Sequence, residues 1–178
     1  GFDLEAFLAA TRAQPLHKGH TAATLLEELR EEPGIEAPYL DTSLLVAALV
    51  HEAGTATAAS FLQAHAKQPL LISPWVATEL ASALALQVRR SAITPQESKE
   101  AWQRFGVLRE QRLHTLPLTA EDFDVAARLC LTQAPPLRAG DALHLALCQR
   151  LNLQLASFDR GLCKAAAHHQ VAHEQLLI

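Results

Sequence analysis

The 178-residue sequence predicts an α/β fold, a mostly parallel sheet flanked by helices in three layers, preceded by a helical arm. Two observations carry this prediction. From Tyr39 onward, short apolar runs of strand length alternate with longer segments of helical spacing, the order that a parallel sheet requires. Two of the short runs also end on an aspartate that opens the next helical segment: Pro38-Tyr39-Leu40 meets Asp41, and Leu155-Ala156-Ser157-Phe158 meets Asp159.

Residues 3–13 read as a short helix, with Asp3 as its cap and Leu4, Phe7 and Leu8 on one side. Pro15 and Gly19 break the pattern, so residues 14–19 are expected to run extended. Residues 21–32 form a second amphipathic helix, with Leu25, Leu26 and Leu29 opposite the acids, and Pro33-Gly34 ends it. Two short helices cannot make a core of their own. Residues 1–36 are therefore expected to lie as an arm and linker over a domain at 37–178; an ordinary extension packed for stability would show the same pattern.

In that domain a strand is expected at 38–41, helices at 43–52 and 56–67, and a strand at 70–72. Ser73-Pro74, a cap followed by proline in the first turn, opens a helix over 75–91. Thr94-Pro95-Gln96-Glu97 is a capping box that starts a helix ending near 112. Residues 113–118 read as a strand, and Thr119 with Glu121 and Asp122 starts a helix to 132. Beyond Pro135-Pro136, Gly140-Asp141 opens a helix to 151. A strand over 153–158, a last helix from Asp159 and an edge strand at Val171-Ala172 complete the order.

At 49% hydrophobic the chain can bury a real core. It has no apolar run of membrane-spanning length and no basic-then-apolar leader, so a soluble cytoplasmic protein is expected. Cys130, Cys148 and Cys163 sit in apolar stretches without C-x-x-C spacing and are expected to be reduced and buried. With no methionine and Gly1 at its head, the sequence is expected to have a trimmed or artificial start. The net charge of −4 belongs to the arm, where seven acids face Arg12, Lys18 and Arg30. Residues 37–178 balance twelve acids with twelve bases.

Most acids fall where a cap or a solvated helix face would put them, but four stand apart. Asp41 and Asp159 occupy equivalent strand exits. Glu79 is the only charge between Lys67 and Arg89, and Asp141 heads the apolar helix of Ala142-Leu143-His144-Leu145-Ala146. An isolated acid in an apolar run costs several kcal/mol to bury unless it is capped, paired or metal-bound. Capping accounts for Asp141 and Asp159 but not for Glu79. Brought to one rim, such acids repel by about 4 kcal/mol per close pair. With oxygen ligands only, the natural counter-ion is Mg²⁺ or Mn²⁺. A pair of such ions is suited to phosphodiester cleavage.

Asp41-Thr42-Ser43 after a strand, Glu79 in Thr78-Glu79-Leu80, Gly140-Asp141-Ala142-Leu143-His144-Leu145-Ala146 and Ser157-Phe158-Asp159 together resemble the PIN-domain nucleases, specifically the VapC-like toxins of prokaryotic toxin–antitoxin pairs. The resemblance covers residues 38–178. It implies a PIN-like fold and a Mg²⁺- or Mn²⁺-dependent endoribonuclease, dimeric, cutting a particular tRNA, rRNA or mRNA. Asp41, Glu79, Asp141 and Asp159 would be the metal ligands, and Ser43 the small polar residue bonded beside them. Residues 1–36 in turn resemble the toxin-binding tail of a VapB-type antitoxin, here fused to its toxin. Such tails place a basic side chain among the carboxylates, and Arg12 is the candidate, with Lys18 and Arg30 as alternatives.

Other signals weigh less. His169 and His173 stand four apart near a helix end and are expected to face solvent. His144, one turn beyond Asp141, is expected to pack or hydrogen-bond beside the site. Arg89, Arg90, Arg104, Arg109, Arg112, Arg138 and Arg160 are available to an RNA backbone, although each taken singly fits a solvated helix face. Aromatics make up only 5% of the chain, so base stacking is not a main binding mode, and Trp75 and Trp102 are expected in the core or a dimer contact. Two alternatives keep the fold: a catalytically silent interaction module, and a DNA-directed nuclease using the same site.

Overall fold

The first two strands, β1 (Pro38–Leu40) and β2 (Leu70–Ile72), are buried on both faces, as strands of a sheet covered by helices on either side must be. The computed structural model describes residues 2–11, 21–31, 37–132 and 134–178. With β3 (Leu113–Thr115), β4 (Gln154–Ser157) and β5 (His173–Gln175), these strands form one sheet in the order β3-β2-β1-β4-β5. Every pairing is parallel. β2 and β3 extend from one side of β1, β4 and β5 from the other. The chain therefore reverses its direction of travel between β1 and β4, and the crevice beyond their carboxyl ends is where such a sheet places a ligand.

Among the described residues the crossovers are helical: α3 (Thr42–Leu49) and α4 (Thr55–Ala64), α5 (Pro74–Arg89) and α6 (Pro95–Gln111), α7 (Ala120–Cys130) and α8 (Ala139–Leu151), then α9 (Arg160–His168). Their starts follow the sequence closely. Asp41 caps α3 and Asp159 caps α9, while Thr94 with Glu97 and Thr119 with Asp122 close reciprocal capping boxes on α6 and α7. Asn152, left-handed at φ 54°, ends α8. None of the described helices is long and apolar enough to cross a membrane.

The arm contributes α1 (Leu4–Thr11), capped by Asp3, and α2 (Ala22–Glu31). Phe2, Leu4, Phe7, Leu8 and Leu25 are buried with the core of the domain. Arg104 on α6 donates to the carbonyls of Phe2 and Leu49, and the Arg112 guanidinium lies 5.8 Å from the centre of the Phe7 ring. The expected extended segment at 14–19, the Pro33-Gly34 break, Arg12 and Lys18 lie outside the described residues, as does the side chain of Arg30.

Several expectations need correction. The edge strand is His173–Gln175, not Val171-Ala172: Val171 N–H still closes the end of α9 on the Ala166 carbonyl, and the ladder begins only where Leu155 N–H reaches Ala172 O. The third strand stops at Thr115, short of Pro117, which has no N–H to give a ladder. Ser73 stands at the cap position of α5 but does not cap it, because its hydroxyl accepts from Tyr39. Cys130 is exposed: Asp122, Ala126 and Leu129 form the buried stripe of α7, and the next residue turns to solvent. Of the two places expected for Trp102, the core is ruled out by its 42% exposure, and a dimer contact stays open.

Candidate functional site

The sheet's switch point brings the four singled-out acids to one edge. Asp41 leaves β1 with only 4% of its surface exposed. Its Oδ1 accepts from Ser43 Oγ at 2.7 Å and from Leu44 N at 3.3 Å; its Oδ2 accepts from Ser157 Oγ at 2.8 Å. Burial raises the Asp41 carboxyl above its ordinary value, and the pull of His144 and these hydrogen bonds only partly offset it. Ser43 also accepts from Phe158 N at 3.0 Å, and so ties the exits of β1 and β4 together.

Glu79 reaches the same edge from α5. Its Oε2 accepts from Thr42 Oγ1 at 2.6 Å and from His144 Nε2 at 2.6 Å. Burial alone would raise this carboxyl, but the bond and charge of His144, with Thr42, outweigh it and hold it below the usual glutamate range. His144 is itself fixed through Nδ1, 2.8 Å from the hydroxyl of the buried Tyr39. The expectation that His144 hydrogen-bonds beside the site is met.

Asp141 stands in the first turn of α8, and Asp159 accepts from Leu162 N at 2.9 Å as the cap of α9. Among the described residues no hydrogen bond reaches the Asp141 carboxylate. Burial raises it, and the neighbouring Asp159, Glu79 and Asp41 add to the rise, against a smaller pull from His144. Glu79, Asp141 and Asp159 line one open cavity of about 790 Å³ with Thr42, Trp75 and Arg138. Asp41 does not line it, but its charge is felt at Asp141.

Gly140 explains how α8 can come so close to α5. A Cβ there would stand 2.5 Å from Glu79 Oε1 and 3.0 Å from Trp75 Nε1, so the glycine makes room for the carboxylate. Sequence reasoning quoted Gly140, Thr42 and Ser157 within motifs but missed what they do, because their partners lie on other elements. It read Asp122 only as part of a helix start. That carboxylate is 1% exposed and is held by Arg150 Nε at 2.7 Å and Nη2 at 2.8 Å, away from the site. His169 and His173 are half-buried rather than solvent-facing.

Among the described residues no three His, Cys, Asp or Glu side chains converge closely enough to ligate one ion as they stand. The chemistry of the donors nevertheless suits a hard divalent cation. All are carboxylate oxygens, and the Asp141 carboxylate accepts no hydrogen bond among the described residues.

The family model described as PIN domain matches residues 39–168. A comparison with curated proteins finds no match. Solved structures with the same fold include VapBC2 from Rickettsia felis bound to a promoter DNA fragment, at 16% identity and TM-score 0.60, covering 79% of this chain and 99% of that one. The sarcin-ricin loop cleaving toxin VapC20 of Mycobacterium tuberculosis matches at 20% identity and TM-score 0.57, over 72% and 95% of the two chains. FitAcB from Neisseria gonorrhoeae matches at 20% identity and TM-score 0.58, over 76% and 95%.

Proposed function

Because the chain belongs to the PIN-domain family, we propose that it is a divalent-ion-dependent endoribonuclease of the VapC toxin type. The observation that carries this reading is the convergence of Glu79, Asp141 and Asp159 on one open cavity, with Asp41 buried behind them. Asp41, Glu79, Asp141 and Asp159 would hold Mg²⁺ or Mn²⁺. Such an ion supplies an activated water at neutral pH and neutralises charge on the departing oxygen.

The chain's own residues do the positioning. Ser43 and Ser157 lock both oxygens of Asp41, so this carboxylate cannot swing away when a cation enters. Thr42 and His144 fix Glu79 through Oε2, and the Trp75 indole N–H lends a further, weaker pull on the same carboxylate. Asp141, with no hydrogen-bond donor among the described residues, is the group that gains most from a cation. None of these residues is placed as a dedicated general base.

Residues 1–36 belong to this reading as an antitoxin-like arm held in cis, with Arg12 as the basic residue that would enter the pocket. Its support is the burial of Phe2, Leu4, Phe7 and Leu8 on the domain. A homodimer, with exposed Trp102 as its candidate contact, completes the reading. The competing reading, a catalytically silent module, is favoured by one observation: Glu79 Oε2 is already taken by two protein donors.

The test is cleavage of total RNA by the full chain with Mg²⁺ or Mn²⁺, beside Asp141→Asn and an Arg12→Ala variant. Cleavage that disappears with EDTA and in Asp141→Asn supports the nuclease, and a faster Arg12→Ala supports the arm. No cleavage by the full chain or by Arg12→Ala, together with no thermal stabilisation of either by Mn²⁺, selects the silent module.

A further inference from the structure

Four of the domain's arginines are already engaged. Arg104 and Arg112 donate to backbone carbonyls, Arg150 pairs with Asp122, and Arg109 lies over the Phe105 ring. Arg89, Arg90 and Arg138 are exposed and make no hydrogen bond or ion pair among the described residues. Their placement sets them apart from an ordinary solvated face.

One wall of the carboxylate cavity is a single stripe of α5: Trp75, Thr78, Glu79, Ser82, Ala83 and Leu86. The spacing of three and four keeps them on one side, opposite the buried Val76, Leu80 and Leu84. The stripe runs about 16 Å at 1.5 Å per residue. Its next two positions, three and four beyond Leu86, are Arg89 and Arg90. At the other end Arg138, just before Asp141, lines the cavity from the far wall without pairing to any of the three carboxylates.

The result is an acidic pocket with a cation at its mouth, a wall of hydroxyls and a 37%-exposed leucine leading away from it, and two cations at the end of that wall. An acidic pocket by itself repels a phosphodiester. A strand that enters it needs positive charge on the phosphates flanking the one to be cut.

We propose that the α5 stripe from Thr78 to Arg90 is the track that seats an RNA strand, with Arg138 binding a phosphate beside the cut one and Arg89 and Arg90 binding a phosphate farther along. This rests on the ribonuclease reading above. Ser82, Ala83 and Leu86 lie under the sugars and bases between the two cationic ends.

The test uses the full chain in EDTA, where nothing is cut, and a labelled RNA single strand followed by fluorescence anisotropy over a range of KCl concentrations. Each lost phosphate contact flattens the slope of log affinity against log salt by about 0.7 for a single strand. Arg138→Ala and Arg89→Ala/Arg90→Ala are expected to show that flattening and to weaken binding. Ser82→Glu, which adds a negative charge midway, is expected to weaken it too. Arg128→Ala, on the exposed side of α7, serves as the control and keeps the parent slope. With Mn²⁺ present, Arg138→Ala is expected to raise KM while kcat stays within roughly threefold.

Arginine variants indistinguishable from Arg128→Ala overturn the track, and the nuclease reading survives if the parent cuts RNA. The predicted slopes without cleavage under any divalent ion uphold the track and remove the nuclease. An Arg12→Ala chain that neither binds nor cuts RNA overturns both.

Discussion

His144 Nε2 stands 2.6 Å from Glu79 Oε2 and joins α8 to α5 beside the carboxylate cavity. A hydrogen bond to a charged group contributes about 1.5–3 kcal/mol when buried. Glu79 is partly exposed, so His144→Ala is expected to cost about 1–2 kcal/mol in urea unfolding at neutral pH. The lowered Glu79 carboxyl stabilises the fold above its unfolded value near 4.3, and that stabilisation is lost as pH falls through the folded value. The variant should therefore lose less stability on acidification than the parent.

Asp141 has the opposite sign. Burial and then Asp159 raise its carboxyl, so its ionised form costs the metal-free fold at neutral pH, and the cost is relieved as pH drops below the raised value. Asp141→Asn is expected to raise Tm in EDTA while RNA cleavage falls by on the order of a hundredfold or more. Calorimetry with and without Mn²⁺ should show the parent stabilised by the ion and the variant not.

Gly140→Ala separates the fold from the site. The added methyl meets the mobile end of Glu79, which can move aside, and alanine is the better helix former by about 0.5–1 kcal/mol. That gain only partly offsets the bonds Glu79 gives up to Thr42 and His144, so stability is expected to fall by about 1 kcal/mol. Glu79 must leave Thr42 and His144, so activity should drop to the level of Glu79→Gln.

The Asp122–Arg150 pair is a test of stability alone. Breaking a buried pair from one side costs about 3–5 kcal/mol, and the part exposure of Arg150 places Arg150→Ala at the lower end of that range. Burial raises the Asp122 carboxyl, but Arg150 and Thr119 outweigh it and hold it low. The pair's contribution is thus complete above about pH 3.9 and lost as pH falls through the lower folded value. Denaturation at a series of pH values should show parent and variant converging in acid, with RNA cleavage unchanged at neutral pH.

The fold was legible wherever the signal was local. Thr94 with Glu97 and Thr119 with Asp122 start helices because the groups that satisfy them lie three residues away. The four site acids were legible for a related reason: a charge stranded in an apolar run is costly wherever the chain folds, so each had to have a use or a partner. The identity of those partners was not legible. Thr42 and His144 reach Glu79 across the packing of three helices, Asp122 meets an arginine 28 positions on, and Ser73 abandons its cap for Tyr39. Each is decided by tertiary contact. The start of β5 was misplaced because apolar Val171 serves the end of α9 rather than the sheet.

The crossing of β4 to the far side of β1 also sets a timetable. Asp41 is made well before the hydroxyl that fixes it, Ser157, which follows it by 116 residues, and before the last carboxylate, Asp159. Until then the central strand lacks one of its two neighbours, and no part of the carboxylate pocket can be complete. A growing chain thus lacks its complete carboxylate pocket until β4 and its exit have been made, long after the helices α1 and α2 that pack on the domain.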